Sequence, residues 1–244
     1  MRLVVRTFSE LCLTVGALIV LFVVYVLYWT GVQAESATAG ELKILQQEWA
    51  DRPVEAPAPA STPATPAPTA PAPAPPTAPA PPTAPAPYAA GKGIAVMYVP
   101  RLGEDWEWPV LQGTDAATLK KGLGHYPGTA RLGATGNFAV AGHRRTHGDP
   151  FKDFPRLRAG DAVVLTDGTT WYTYRVDRAP YRTVPTDTGV VDPVPRKSGF
   201  GGPGRYLTLT TCDPEWGSSH RLVVWAHLDA TLPVADGRPQ ALDS

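Results

Sequence analysis

Residues 56–87 read APAPASTPATPAPTAPAPAPPTAPAPPTAPAP, and this stretch decides how the rest of the chain is organised. It has no large apolar side chain to bury, and each proline removes a backbone donor, so it cannot be part of a packed core. Together with residues 53–55 it holds more than half of the chain's 28 prolines. Such a composition favours extended polyproline II at about 3.1 Å per residue, so residues 53–87 reach on the order of 100 Å. Any core of useful size must therefore come from residues 88–244, which are enough for one domain. The proline stretch reads as a stalk that carries that domain, or as a spacer of no fixed length.

A second segment is excluded from the core for a different reason. Residues 11–29 (LCLTVGALIVLFVVYVLYW) carry no charge, and their length matches the ~20 residues a helix needs to cross a bilayer. Tyr25, Tyr28 and Trp29 gather at the far end, where amphipathic rings suit the interface. Arg2 and Arg6 precede the run, whereas Glu35 and Glu41 follow it, which places the N-terminus in the cytoplasm and the rest outside. Val32-Gln33-Ala34 loosely resembles a signal-peptidase site, but signal h-regions run only ~7–15 residues, so an uncleaved anchor is expected. The division is thus 1–10 cytoplasmic, 11–30 transmembrane, 31–87 extracellular stalk and 88–244 catalytic domain. Residues 41–49 (ELKILQQEW) read as one or two helical turns with no assigned role.

The last segment reads as mostly strands. Residues 94–99, 106–111, 137–142, 161–166, 170–176, 205–211 and 221–228 are short apolar or alternating runs rich in β-formers. Asp167-Gly168 is a turn signal between two of them. Residues 116–122 have helical composition, and residues 149–157 suggest one or two helical turns opened by Asp149 and Pro150. Many short strands with few helices point to a β-barrel or sandwich. The whole chain carries 22 basic and 22 acidic side chains, so no net charge draws it to nucleic acid.

There are two cysteines, and Cys12 lies in the apolar run, which leaves Cys212 as the one exported thiol. A lone thiol in an oxidising compartment is a liability unless it is buried and inert or kept for its chemistry. Cys212 ends the alternating run YLTLTT, and Asp213-Pro214 cannot continue a regular strand. That is a strand end, where a nucleophile meets substrate. A catalytic thiol needs a base or cation beside it. His143 stands at a similar strand exit after Gly142, which permits close backbone approach. His147 reads as solvated, His220 and His227 as strand-surface or packed residues, and His125 as part of a turn before Tyr126-Pro127. Arg221 opens the strand after the Cys212 loop, and a hairpin returns its five planar donors toward the thiol, where an oxyanion would need them.

These residues resemble a known family. Thr208-Leu209-Thr210-Thr211-Cys212, with Arg221 nine residues later, is similar to the sortase signature TLxTC followed by arginine. Ala141-Gly142-His143-Arg144 is similar to that family's histidine segment. The segments GHYPGTA (124–130), AGHRRTHGDPF (141–151) and TLTTCDPEWGSSHRLVV (208–224) most resemble class E sortases of high-GC Gram-positive bacteria. The resemblance implies a mainly β fold, an eight-stranded sortase-type β-barrel with short helices. It implies a cysteine transpeptidase that cleaves an LAxTG/LPxTG-type signal between Thr and Gly through a thioester, with His143 as acid/base and Arg221 as oxyanion clamp. Thr211 is implied as a further donor, and Tyr126 as a reader of the signal. The partners implied are secreted proteins bearing that signal, and the amine of a peptidoglycan precursor (lipid II). No cofactor or metal is expected. Two other classes remain open: another extracellular cysteine enzyme, whose usual Cys/His order is not the one here, or a non-catalytic wall-binding module.

Overall fold

A computed structural model describes residues 2–51 and 86–243, with side chains from residue 5 onward except those of residues 26–30. The proline-rich segment 52–85 and the side chains of Tyr28 and Trp29 lie outside the described residues.

The N-terminal part is one helix, α1 (Arg2–Ala50). It contains Val5–Tyr25, a stretch long and apolar enough to cross a membrane and unburied throughout. The backbone does not divide at residue 30, where the sequence suggested that a stalk begins. Beyond it, Ala34, Thr38 and Leu45 are buried, and with Leu42 and Trp49 they recur at the three- and four-residue spacing of one helix face. That face packs on the barrel, which is why residues 31–50 stay helical rather than joining the extended segment. Gly93 makes room for it: a side-chain carbon there would lie 2.8 Å from Leu45.

The barrel is built from β1 (Gly93–Tyr98), β2 (Glu107–Gln112), β3 (Leu123–His125), β4 (Gly136–Ala141), β5 (Ala162–Thr166), β6 (Thr170–Val176), β7 (Tyr181–Thr183), β8 (Arg205–Asp213) and β9 (His220–Pro233). The strand order is β6-β5-β1-β2-β3-β4-β8-β9, and a β6–β9 pairing closes it into the expected eight-stranded barrel. β7 is a ninth strand added along the first residues of β9. Two pairings are parallel, β2 with β3 and β4 with β8. The first is bridged by the short helix α2 (Ala116–Leu119), whose Asp115 accepts from Ala117 N and Thr118 N, both at 3.0 Å.

Alternation sets the inner face. Leu207 and Leu209 of β8 point into the core with Met97, Phe138, Val140 and Tyr174, while Thr208 and Thr210 face outward. Three local readings change. β3 and β7 have three residues each, too few for a two-residue period to stand out. Only Phe154–Arg156 forms a helical turn in 149–157, because Asp149 has φ +54° and cannot cap one. His125 is not in a turn but ends β3, 2 % exposed, stacked on Phe138 with ring centres 4.5 Å apart.

Burial lowers the pKa of His125 from 6.5 to about 4. The folded state therefore holds the ring neutral while the unfolded chain protonates near 6.5. Between these values the unfolded state binds more protons, so stability is fully present above about 6.5 and falls as pH drops toward 4. At about 1.4 kcal/mol per unit the loss is on the order of 3 kcal/mol. A His125→Gln variant, followed by thermal unfolding between pH 7.5 and 4.5, should show a shallower acid slope than the wild type. Equal slopes would remove His125 as the source.

Candidate active site

Three strand ends meet at one rim of the barrel. In the parallel β4–β8 pair Ala141 faces Thr210, so continuing that register two residues sets His143 beside Cys212 on neighbouring segments. Strands lie about 4.8 Å apart, which fixes the scale of that approach. The alignment is held past the end of β4, because Gly142 N donates to Thr210 O at 3.1 Å and Thr211 Oγ1 donates to Gly142 O at 2.9 Å. Gly142 is needed there, since a side-chain carbon would come within 2.6 Å of Phe151 and 2.7 Å of Leu123. On the other side, Cys212 is the direct antiparallel partner of Arg221. Directly opposed residues share a face, with Cβ atoms about 4.5–5.5 Å apart. Thiol, imidazole and guanidinium thus come from the end of β8, the loop after β4 and the start of β9.

Cys212 is half-buried and unpaired. With His143, Arg145, Glu215 and Trp216 it lines a cavity of about 280 Å³. His143 stacks on His147, ring centres 4.9 Å apart. Its pKa is lowered first by burial and then by the charge of His147, and Asp149 works in the opposite direction. His147, expected to be solvated, is lowered likewise, again mainly by burial. Arg221 Nη1 donates to Ser218 O at 2.9 Å and to His220 O at 2.8 Å, which fastens the guanidinium to its own hairpin.

A second, narrower groove of about 90 Å³ lies on the outer face of β8 and β9. It is lined by Tyr126, Thr210, Arg221 and Val223 on one side and by Val184, Pro185 and Val190 on the other. Tyr126 Oη and Thr210 Oγ1 are 2.9 Å apart, two residues before Cys212 on the same face. The wall formed by residues 183–191 is pinned by Trp225 Nε1, which donates to Val190 O at 3.0 Å. Thr211 points the other way. It is buried, and its hydroxyl is committed to Gly142 O, so the side chain stitches β8 to the end of β4 rather than facing the groove.

A charged clasp that sequence reasoning missed supports this rim. Asp213 accepts from Arg182 Nε at 2.6 Å and from Arg144 Nη1 at 2.5 Å, tying β7 and the His143 loop to the end of β8. The hydrogen bond from Arg182, then that from Arg144, holds the Asp213 carboxyl below the usual range. Arg145 pairs with Glu215 and lies 4.9 Å over the Trp216 ring. No periodicity marks such partners, because they come from segments far apart in the chain. The Arg144-Arg145 and Asp213/Glu215 charges flanking His143 and Cys212 were the one available signal. His220 receives a contact from Arg182 Nη2 at 3.0 Å, and His227 is exposed and pairs with Asp177 at 2.9 Å. Neither lines the cavity of Cys212.

A family model described as Sortase domain matches residues 97–229. Sortase SrtE1 of Streptomyces coelicolor is 35% identical over 246 residues, covering 98% of this chain and 61% of its own length. The chain therefore spans less than two thirds of that relative. The structure of sortase E from Streptomyces avermitilis is similar at TM-score 0.61 and 70% identity, over 64% of this chain and 99% of that one. The crystal structure of sortase E1 from Streptomyces coelicolor with a tripeptide in the active site is similar at TM-score 0.59 and 38% identity, over 62% and 97% of the two chains.

Proposed function

Because the chain belongs to the sortase family, with class E enzymes among its relatives, we propose that it is a membrane-anchored transpeptidase acting through Cys212. The carrying observation is the pair of registers that bring Cys212, Arg221 and, past the end of β4, His143 to one rim. In this reading the Cys212 thiolate attacks the Thr carbonyl carbon of an LAxTG/LPxTG-type signal. A C–S bond forms, the Thr–Gly C–N bond breaks, and His143 gives its proton to the departing amine. An incoming amine, that of a peptidoglycan precursor such as lipid II, then attacks the thioester. His143 takes the amine's proton, and the thiolate of Cys212 leaves. The groove beside Tyr126 and Thr210 would receive the residues before the scissile bond, with the Tyr126 hydroxyl near the second position of the signal. Thr211 contributes by holding the two strands in register. The donors are secreted proteins with that signal, and the catalytic domain works outside the cell.

Purified chain mixed with an LAxTG peptide and an amine should yield cleavage between Thr and Gly, a Cys212 thioester and the amide product, all visible by mass spectrometry. Cleavage elsewhere, or no covalent adduct with intact protein, would defeat the reading.

Arg221→Lys should be nearly as damaging as Arg221→Ala. A clamp on a carbonyl and a developing oxyanion needs two donors in one plane, which an ammonium cannot supply. Loss of one such donor costs roughly 10²–10³-fold in turnover in well-studied hydrolases. Because the contact strengthens as charge develops, the loss falls mainly on kcat. Near-normal turnover of the lysine variant in steady-state kinetics would reduce Arg221 to background potential.

A further inference from the structure

The proline-rich segment read as a stalk would hold the domain far from the bilayer, but the contacts of α1 describe another arrangement. Past its apolar run, which ends at Trp29, the helix continues unbroken and climbs the barrel. Gly31, Glu35 and Thr38 share a groove of about 690 Å³ with Trp108, His147 and Trp216. Higher up, Thr38 Oγ1 donates to Lys121 O at 3.1 Å, and Glu41 pairs with Lys121 at 3.0 Å. Leu45 then covers Gly93 at the start of β1, and Trp49 covers Gly168 in the β5–β6 turn.

Strand directions give the same polarity. The first residues of β2, Glu107 and Trp108, lie in the groove, while its last, Gln112, bonds to Lys92 beside Gly93. β3 runs parallel to β2, β4 runs against β3, and β8 runs parallel to β4. The ends of β4 and β8 that carry His143 and Cys212 are therefore at the Glu107 end of the barrel. That is the end from which α1 descends to its apolar stretch. At 1.5 Å per residue, Gly31 stands about 3 Å and Glu35 about 9 Å beyond Trp29, the end of the apolar run, along the axis. Trp216, 70% exposed, sits on the loop after Cys212 at this same rim, and an indole suits the bilayer interface.

We propose that docking of α1 holds the catalytic end of the barrel against the lipid headgroups, with Trp216 as the interfacial contact, so that the site meets substrates still held in the membrane. The described residues on either side of the proline-rich segment then both lie on one barrel. Before it, Trp49 sits beside Gly168, and after it the Ala86 carbonyl accepts from Arg131 Nη1 at 2.6 Å. The arrangement stands on these contacts, whereas its consequence for substrates rests on the transpeptidase reading.

The test uses the full chain with Cys12→Ser and Cys212→Ala, in phosphatidylcholine nanodiscs with acceptor-labelled headgroups. A single donor dye is placed at Ser218→Cys, on the catalytic rim, or at Asp236→Cys, at the opposite end. Strong energy transfer at position 218 and weak transfer at 236 is expected. Adding Glu41→Lys and Leu45→Asp, which undock α1, should remove the difference. In the Cys212-intact chain the same pair should leave cleavage of a soluble peptide at the wild-type rate, which also reports that the barrel is folded. Transfer to a lipid-held amine should fall by roughly tenfold or more, the loss of local concentration. Equal transfer at both positions, or an asymmetry that undocking leaves in place, overturns the arrangement whatever the activity. The asymmetry with no peptide cleavage overturns the transpeptidase reading and leaves the membrane-facing surface standing.

Discussion

Replacing Cys212 with alanine should abolish both cleavage and transfer while leaving the barrel folded. Without the thiol there is no atom to form the acyl intermediate, and no other cysteine is within reach. The only other one, Cys12, lies in the apolar part of α1. The structural cost is small. Cys212 is half-buried at the rim and its side chain is absent from the hydrophobic core, so the loss should be within about 1 kcal/mol. The β8–β9 ladder through Cys212 and Arg221 is a backbone matter and persists. Peptide turnover and thermal unfolding are to be measured on the same preparation. A Cys212→Ala protein keeping even a tenth of wild-type turnover would disqualify the thiol as nucleophile, since covalent catalysis through it would then be dispensable. Cys12→Ala should change neither reading.

His143→Ala should lower turnover by about 10²–10⁴-fold, the usual worth of a positioned acid/base. The competitor is His147, which stacks on His143 and reaches the adjoining groove. His143 has the better position, because it stands opposite Cys212 when the β4–β8 pairing is continued. His147→Ala should therefore retain most of the turnover and instead move the pH profile. The charge of His147 lowers the pKa of His143, so its removal should shift the His143 limb of the rate profile to higher pH. If the two alanine variants lose equal rate, or His147→Ala loses more, the assignment moves to His147. If His147→Ala shifts the limb downward, the stacked pair is not coupled as described.

The alternating strands and the candidate residues of the site were legible in the residues themselves. A two-residue alternation such as YLTLTT needs only backbone geometry to sort Leu207 and Leu209 inward and the threonines outward, and the structure follows it. Charge-free length made the candidate membrane span equally plain, and Pro214 after Asp213 marked where β8 must end. The chain also singled out Cys212, because the other cysteine, Cys12, lies in the apolar run.

What the sequence could not state is which segments lie against one another. The parallel pairing of β4 with β8 crosses nearly seventy residues, and nothing local to Ala141 or Thr210 encodes that they are partners. The same holds for Asp213 between Arg144 and Arg182, and for the wall of residues 183–191. The sharpest case is residues 31–50. Alone they read as the weakly helical start of a stalk, since a short amphipathic helix gains little in water. Their helix is decided by a glycine at position 93 and a turn at 168 that receive Leu45 and Trp49. Periodicity and composition belong to the sequence because they act over a few residues. Register, enclosure and the orientation of the catalytic rim belong to the tertiary structure, because they depend on burial against partners the chain meets only once it has folded.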